Sequence, residues 1–441
     1  MGLLYSGLRG LLRLGLRAYF HEIEVHGLEN VPADGPCVVA ANHHNSMIDP
    51  FLIVAAGRRP LAFIAKAPLF SMPIVGTILR GMGCIPAHRS QDPGFAKEKN
   101  EALYGAAVKT LASGRMLAIF PEGKSHSDPH LAEFRHGASK IALEADALQG
   151  GVRIQLVGIH FEETRGFRGK ALLQFGPSLP LAGWKERYAA DPRAATAALT
   201  DELRARLSEM ILSAESHEIL RSAELVRKMD VLERGRPGDL KQDFDRRKFI
   251  LDSYRELREK APREVEALRT DLARYRETLD LLGVRDEEVA ADYRFGRVLG
   301  RALARTSALA LGLPFVAAAI VLNLPPYLLC DALAKALSKT RDQRAGAAFM
   351  LALLLFPLSW AALGYAGWRL GGPALAAGTV GAATLTGLLS LRWLDAWHRL
   401  LRDAWGLWTA IALPAARATL RRLRARALAR VERLAATKAG P

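Results

Sequence analysis

Residues 41–50 read ANHHNSMIDP and place His44 five positions ahead of Asp49. They follow an apolar run, 37–41 (CVVAA), that comes directly after a Pro/Gly turn at 32–36 and reads as a buried strand. The pair therefore lies where a strand gives way to a loop or helix, a frequent position for catalytic side chains. A neutral imidazole there can take the proton from a hydroxyl. A carboxylate on its other nitrogen fixes the tautomer and stabilises the imidazolium. No serine is needed if the substrate supplies the hydroxyl. Taken alone, the same residues also suit a polar loop that caps a helix through Asn45 or Ser46.

Three further places carry chemistry-bearing residues. GMGCIPAHR, 81–89, ends on Arg89, whose guanidinium could grip a phosphate with two parallel bonds. IFPEGKS, 119–125, closes a second expected strand with Glu122, Gly123 and Lys124. The glycine would allow close backbone approach to a ligand, although an ordinary strand-to-loop turn reads the same way. VGIH, 157–160, ends another strand on His160, read as a structural or surface histidine.

Taken in order, H-x4-D, G-x-I-P-x-x-R, F-P-E-G and a V-x-I strand resemble the motifs of the glycerolipid acyltransferase family over about residues 30–180. HHNSMIDP, FPEGKSHSDP and FEETRGFRGKALLQFG (161–176) are most similar to the branch that acylates glycerol 3-phosphate or dihydroxyacetone phosphate. The resemblance implies His44 as general base, with Asp49 orienting it. It implies that Arg89, with Gly83 and Ile85, belongs to a phosphate-binding motif, and that Glu122 and Gly123 shape the acceptor site. Acyl-CoA or acyl carrier protein would be the co-substrate, with no other cofactor. The expected activity is membrane-bound O-acyl transfer to glycerol 3-phosphate or dihydroxyacetone phosphate. Acylation of 1-acylglycerol 3-phosphate is the alternative within the class. A non-catalytic lipid-binding protein is the alternative outside it, opposed by the intact His44, Asp49, Arg89 and Glu122.

The chain departs from the family pattern at several points. His43 precedes the expected base where many members have asparagine, and the asparagine comes one residue earlier, as Asn42. Lys124-Ser125 replace a common Thr-Arg pair, so that Lys124 or Arg135 would supply the phosphate-facing charge. Gly158 stands where proline is usual. A peptide-synthetase condensation motif is excluded by the His44–Asp49 spacing and by Pro50. No metal site is expected: Pro129 spoils the helical spacing of His126 and His130, and no HExxH is present.

Positioning these residues calls for an α/β domain over 23–180, a mixed sheet flanked by helices. Strands are expected at 37–41, 61–65, 116–120, 152–159 and 171–175, and helices at 95–112 and 137–148. Ahead of it, residues 1–22 form an amphipathic helix with Arg9, Arg13 and Arg17 on one face. That pattern suits a membrane interface; packing on the domain with snorkelling arginines is the alternative. After it, 181–296 is charged and reads as a solvated helical hairpin.

With 441 residues, half of them hydrophobic, and a net charge of +16, the chain suits either a membrane protein leaning on anionic lipid or a nucleic-acid binder. The crowding of apolar residues near the C-terminus favours the membrane. Three scattered cysteines without a CxxC fit a reducing compartment. Within 297–391, the arginine and lysine clusters leave only the short loop at Arg369 free for the far side. Two spans, 345–368 and 372–391, satisfy this; 307–330, with Pro314, Asn323, Pro325 and Pro326, then reads as re-entrant. Residues 392–441 interleave Trp393, Trp397, Trp405 and Trp408 with arginines, an interfacial anchor with anionic lipid as its partner. No nucleic-acid partner is expected. The expected location is a bacterial inner membrane, with the catalytic domain on the cytoplasmic face.

Overall fold

A computed structural model describes residues 2–88, 97–162, 167–235, 238–291, 295–338 and 341–439. The chain divides into two compact units, Met1–Ser213 with Leu337–Phe349, and Ala214–Ala336 with Met350–Pro441.

In the first unit the order is α1 (Gly2–Tyr19), β1 (Glu22–His26), β2 (Cys37–Ala41), α2 (Ile48–Ala56), β3 (Leu61–Lys66), α3 (Ala67–Phe70), α4 (Pro73–Met82) and β4 (Ile85–Ala87). It continues with α5 (Lys97–Ala112), β5 (Met116–Ile119), α6 (Gly137–Gln149), β6 (Arg153–Phe161), β7 (Lys170–Phe175), β8 (Leu179–Pro180), α7 (Lys185–Ala190) and α8 (Pro192–Glu209). The strands form one sheet in the order β1-β7-β6-β2-β5-β3-β4, with β8 on β6. From β6 to β4 the neighbours are parallel, whereas β7 runs antiparallel to β6 and β1 parallel to β7. This is the expected mixed sheet. Central strands of such a sheet are covered on both faces, which explains why every residue of Cys37–Ala41 is buried. Val38 and Ala40 join a core with Leu111 of α5, Ile141 of α6 and Leu199 of α8. Cys37, Val39 and Ala41 alternate to the other face and are equally buried.

Two expectations change here. The domain does not stop at 180: Ala195, Leu199, Leu203 and Leu207, one stripe along α8, join the sheet's core, so the unit runs to Ser213. Each buried leucine contributes about 1.5–3 kcal/mol, enough to keep the helix docked. The leading helix α1 is a packed element. Leu12 and Leu16 are buried, and the Tyr5 hydroxyl accepts from the Leu61 amide at 3.2 Å. Arg9 and Arg13 donate to the carbonyls of Gly57 (3.1 Å) and Ala55 (2.7 Å) at the C-terminal end of α2. Those carbonyls lack a partner within their own helix and carry its partial negative charge.

The second unit contains α9 (His217–Arg234), α10 (Leu240–Lys260), α11 (Pro262–Leu282), α12 (Asp286–Ala290) and most of α13 (Phe295–Leu337) and α14 (Arg341–Ala412), then α15 (Pro414–Ala439). The charged middle and the basic tail prove to be one bundle. Leu420 and Ala427 of α15 share a core with Met229 of α9 and with Leu272, Tyr275 and Leu279 of α11. Three of the tail's arginines are paired with the bundle's acids: Arg424, buried, bonds Asp286 (2.9 Å) and Glu233, while Asp271 takes the exposed Arg426 (3.1 Å) and Arg430. Tyr275 donates to Asp286 at 2.7 Å, and burial together with that carboxylate holds its phenol well above the usual tyrosine range.

Among the described residues, two helices are long and apolar enough to cross a membrane, Leu309–Leu337 and Arg344–Thr409. The second is itself two arms. Gly371 and Gly372 leave helical geometry, Gly372 with φ 77°, and Thr379 reaches back to the Leu363 carbonyl at 3.3 Å. The turn falls between the two expected spans. The re-entrant reading of 307–330 is corrected, because α13 continues as helix through Pro314, Pro325 and Pro326. Asn323, which looked like a break, is satisfied laterally: its amide donates to the Ala383 carbonyl (3.1 Å) and accepts from Trp360 Nε1 (2.9 Å). A polar side chain that ties three apolar arms together does not need a turn to reach water.

Candidate active site

The carboxyl ends of the parallel strands lie along one edge of the sheet, where open α/β sheets bind their ligands. The chain leaves β2, β5 and β4 at this edge, which brings HHNSMID, FPEGKSH and His88 to the same side.

Asn42 extends β2 with its side chain. It donates to the Ile159 carbonyl (2.9 Å) and accepts from the Ile159 amide (2.7 Å), continuing the ladder to β6 by one step. The backbone then turns tightly: Ser46 has φ 21°, and the Asn45 carbonyl accepts from the Ile48 amide at 2.8 Å to start α2. Asp49, fully buried in the first turn of α2, accepts from the Asn45 amide at 2.8 Å. The helix N-terminus favours its negative charge.

The histidine that meets Asp49 is His43. Its Nδ1 lies 2.9 Å from Asp49 Oδ2, and its ring stacks on Phe120 at 4.0 Å between centroids. A carboxylate only accepts, so Nδ1 carries the proton and the Nε2 lone pair is left for a substrate. His44 does not meet Asp49. Its Nδ1 donates to the His126 carbonyl at 3.2 Å, and its ring stands edge-on to His126. The expectation that His44 is oriented by Asp49 is therefore corrected: adjacent residues leaving a strand point in different directions, and the Asn42 anchor turns His43 toward α2. The sequence held a signal for this. Asn42 directly precedes His43, so following the asparagine rather than the five-residue offset selects the histidine that the structure pairs.

Glu122 is buried and fully engaged. It accepts from the His43 amide (2.8 Å) and the Ala132 amide (2.9 Å), and it also pairs with His126 Nε2. Expected to shape the acceptor site, it instead braces the histidine loop from below. Gly123, at φ 69°, does allow a close approach, but by the Arg135 side chain: a Cβ there would lie 2.8 Å from Arg135 Cδ. Lys124 and Arg135, the alternatives for the phosphate-facing charge, are both exposed on this loop. Gly83 is not brought to the site. It caps α4 at φ 73° beneath Arg115, whose Nη1 would lie 2.6 Å from a Cβ. Ile85 is a buried residue of β4, and His160 is half-buried on β6. Arg89 lies outside the described residues, one position beyond His88. Cys37 and Cys84 are poor nucleophiles, since burial pushes their thiols up to about 12 and about 11.

Residues 22–159 match the Acyltransferase family model. A chloroplastic 1-acyl-sn-glycerol-3-phosphate acyltransferase of Arabidopsis thaliana is 31% identical over 123 residues, 28% of this chain and 33% of that protein. A 1-acyl-sn-glycerol-3-phosphate acyltransferase of Borreliella burgdorferi is 29% identical over 137 residues, 31% of this chain and 52% of its own. The chain thus spans between about a third and a half of the length of these curated relatives. The crystal structure of the 1-acyl-sn-glycerophosphate acyltransferase from Thermotoga maritima aligns at 21% identity, covering 47% of this chain and 81% of that one, with a TM-score of 0.35.

Proposed function

We propose that this chain is a membrane-bound glycerolipid O-acyltransferase that acylates 1-acylglycerol 3-phosphate from an acyl thioester of CoA or acyl carrier protein. The observation that carries the chemistry is the 2.9 Å contact between His43 Nδ1 and the buried Asp49 carboxylate at the end of β2. His43 Nε2 removes the proton from the acceptor hydroxyl as the oxygen attacks the thioester carbonyl. Asp49 stabilises the imidazolium, which returns the proton to the departing thiolate. General base catalysis of this kind contributes about 10²–10⁴ in rate, and positioning of the hydroxyl supplies more.

The acceptor's phosphate would be held by cations on the same edge. Lys124 and Arg135 stand on the loop after β5. The FPEGKSHSDP stretch resembles the glycerol 3-phosphate branch, but the names of the relatives, 1-acyl-sn-glycerol-3-phosphate acyltransferases, support 1-acylglycerol 3-phosphate as the acceptor. Two long apolar helices support a membrane location.

The test is transfer of a labelled acyl chain by membranes containing the full chain. 1-Acylglycerol 3-phosphate, glycerol 3-phosphate and dihydroxyacetone phosphate are offered separately, with His43→Ala membranes as the blank. Transfer chiefly to the first supports the reading, and transfer chiefly to either of the others reassigns the acceptor. No transfer by folded protein from either thioester overturns it.

A further inference from the structure

We propose that the opening turns of α14, through Gly346 and Phe349, act as positioning elements for the His43–Asp49 pair by clamping the start of α2 on both sides of Asp49. The inference rests on the acyl-transfer reading for its kinetic consequences, and on geometry for the contact itself. These turns belong to the first unit, which includes Leu337–Phe349.

Met47 is the N-cap of α2, two residues before Asp49, and Phe51 follows two residues after it. Gly346 lies directly against Met47: a Cβ at 346 would stand 2.9 Å from Met47 Cβ, 3.2 Å from its Cγ and 3.4 Å from its backbone nitrogen. Phe349, only 3% exposed, sits one helical turn further on. It packs on Phe51 (5.8 Å, 37°) and edge-to-face on Tyr19 (5.5 Å, 87°). Residues 346 and 349 share one face of their helix, as 47 and 51 do on α2, so two ridges interlock across the turn that presents the acid. Asp49 Oδ2 must reach both the His43 ring and the Asn45 amide, and a displacement of this turn breaks both contacts together.

Glycine within a helix is less stable than alanine by about 0.5–1 kcal/mol, so helix propensity alone predicts that Gly346→Ala is harmless or helpful. The steric argument predicts the reverse. The atoms in the way are the Met47 Cβ and main chain, which cannot swing aside, and relaxing 2.9 Å to an ordinary carbon contact requires a shift on the order of 0.5–1 Å. A displacement of about 1 Å costs up to about 10² in rate, and a tenfold fall in kcat is expected for Gly346→Ala with little change in acceptor KM. Gly378 and Gly381, on the same long helix with nothing within 4 Å, serve as controls.

The experiment compares full-length protein in membranes as wild type, Gly346→Ala, Met47→Gly, the double variant and Gly381→Ala. Each is read for kcat and KM and for the carbethoxylation rate of His43 by diethyl pyrocarbonate, mapped by mass spectrometry, with Asp49→Asn as reference. The expected result is a kcat loss in Gly346→Ala, relief in the double variant to within about twofold of Met47→Gly, and no loss in Gly381→Ala. His43 reactivity in Gly346→Ala should move toward that of Asp49→Asn and return in the double variant. Wild-type kcat and His43 reactivity in Gly346→Ala, or a loss that Met47→Gly does not relieve, would overturn the proposal. If the wild type transfers no acyl group, the activity reading falls, and the His43 reactivities alone decide the clamp.

Discussion

Replacing His43 and His44 one at a time by alanine separates two adjacent imidazoles by their surroundings. His43 donates from Nδ1 to a carboxylate that is itself fixed by the Asn45 amide, and its ring is held flat on Phe120. Its removal deletes the proposed base, with an expected loss of about 10²–10⁴ in kcat, or about 2.7–5.5 kcal/mol of transition-state stabilisation. His44 makes one bond to a backbone carbonyl, at 3.2 Å, and one edge contact to His126. A neutral hydrogen bond of that kind is worth about 0.5–1.5 kcal/mol. Even if the whole amount were lost from the transition state, His44→Ala would fall by no more than about tenfold. The assay is initial-rate acyl transfer at saturating thioester and acceptor, with each rate normalised to protein recovered in the membrane fraction. A His44→Ala loss equal to or greater than that of His43→Ala, at equal recovery, would refute the assignment and return the role to the second histidine.

Three other outcomes follow from the structure. Glu122→Ala leaves the partly buried amides of His43 and Ala132 without their acceptor, at about 1–3 kcal/mol each, so thermal stability and kcat should fall together, whereas Lys124→Ala should alter acceptor KM with stability unchanged. With its thiol near 11, raised by burial, Cys84 is about 0.1% thiolate at pH 8 against roughly a quarter for a free cysteine; native alkylation read by peptide mapping should be about two hundredfold slow and rise tenfold per pH unit up to pH 10. Asn323→Leu removes the bonds to Ala383 and Trp360, at about 1–2 kcal/mol in an apolar bundle, and should lower the detergent unfolding midpoint without changing kcat.

Much of the first unit was legible because its signals are local. The apolar run 37–41 is a strand with the expected limits, since a central strand of a covered sheet must be apolar on both faces. The order of the motifs was readable for the same reason, each sitting where a strand ends. The strand at Ile85–Ala87 and the helix Ile48–Ala56 were not resolved as elements, being short and lacking a period of their own. The expected lipid-facing tail failed for a different reason. The partners of Arg424 and Arg430 lie 138 to 191 and 159 positions away, so arginines that looked free in one dimension are paired in three. The re-entrant segment failed likewise, because the satisfaction of Asn323 depends on residues 37 and 60 positions further along.

By itself, the sequence determined the α/β class, the acid at Asp49, the edge at which the chemistry gathers, and the apolar arms near the C-terminus. These depend on residue type, alternation and order, all of which are properties of neighbours along the chain. Only the tertiary structure decided that His43 rather than His44 faces Asp49, that Glu122 braces the loop, that Gly83 caps a helix, and that Gly346 abuts the turn bearing the acid. Each of these is a matter of direction. Two adjacent side chains leaving a strand point apart, and which one meets the carboxylate is set by Asn42 pinned to Ile159 and by Phe120 beneath the ring, contacts made by strands far away in the chain.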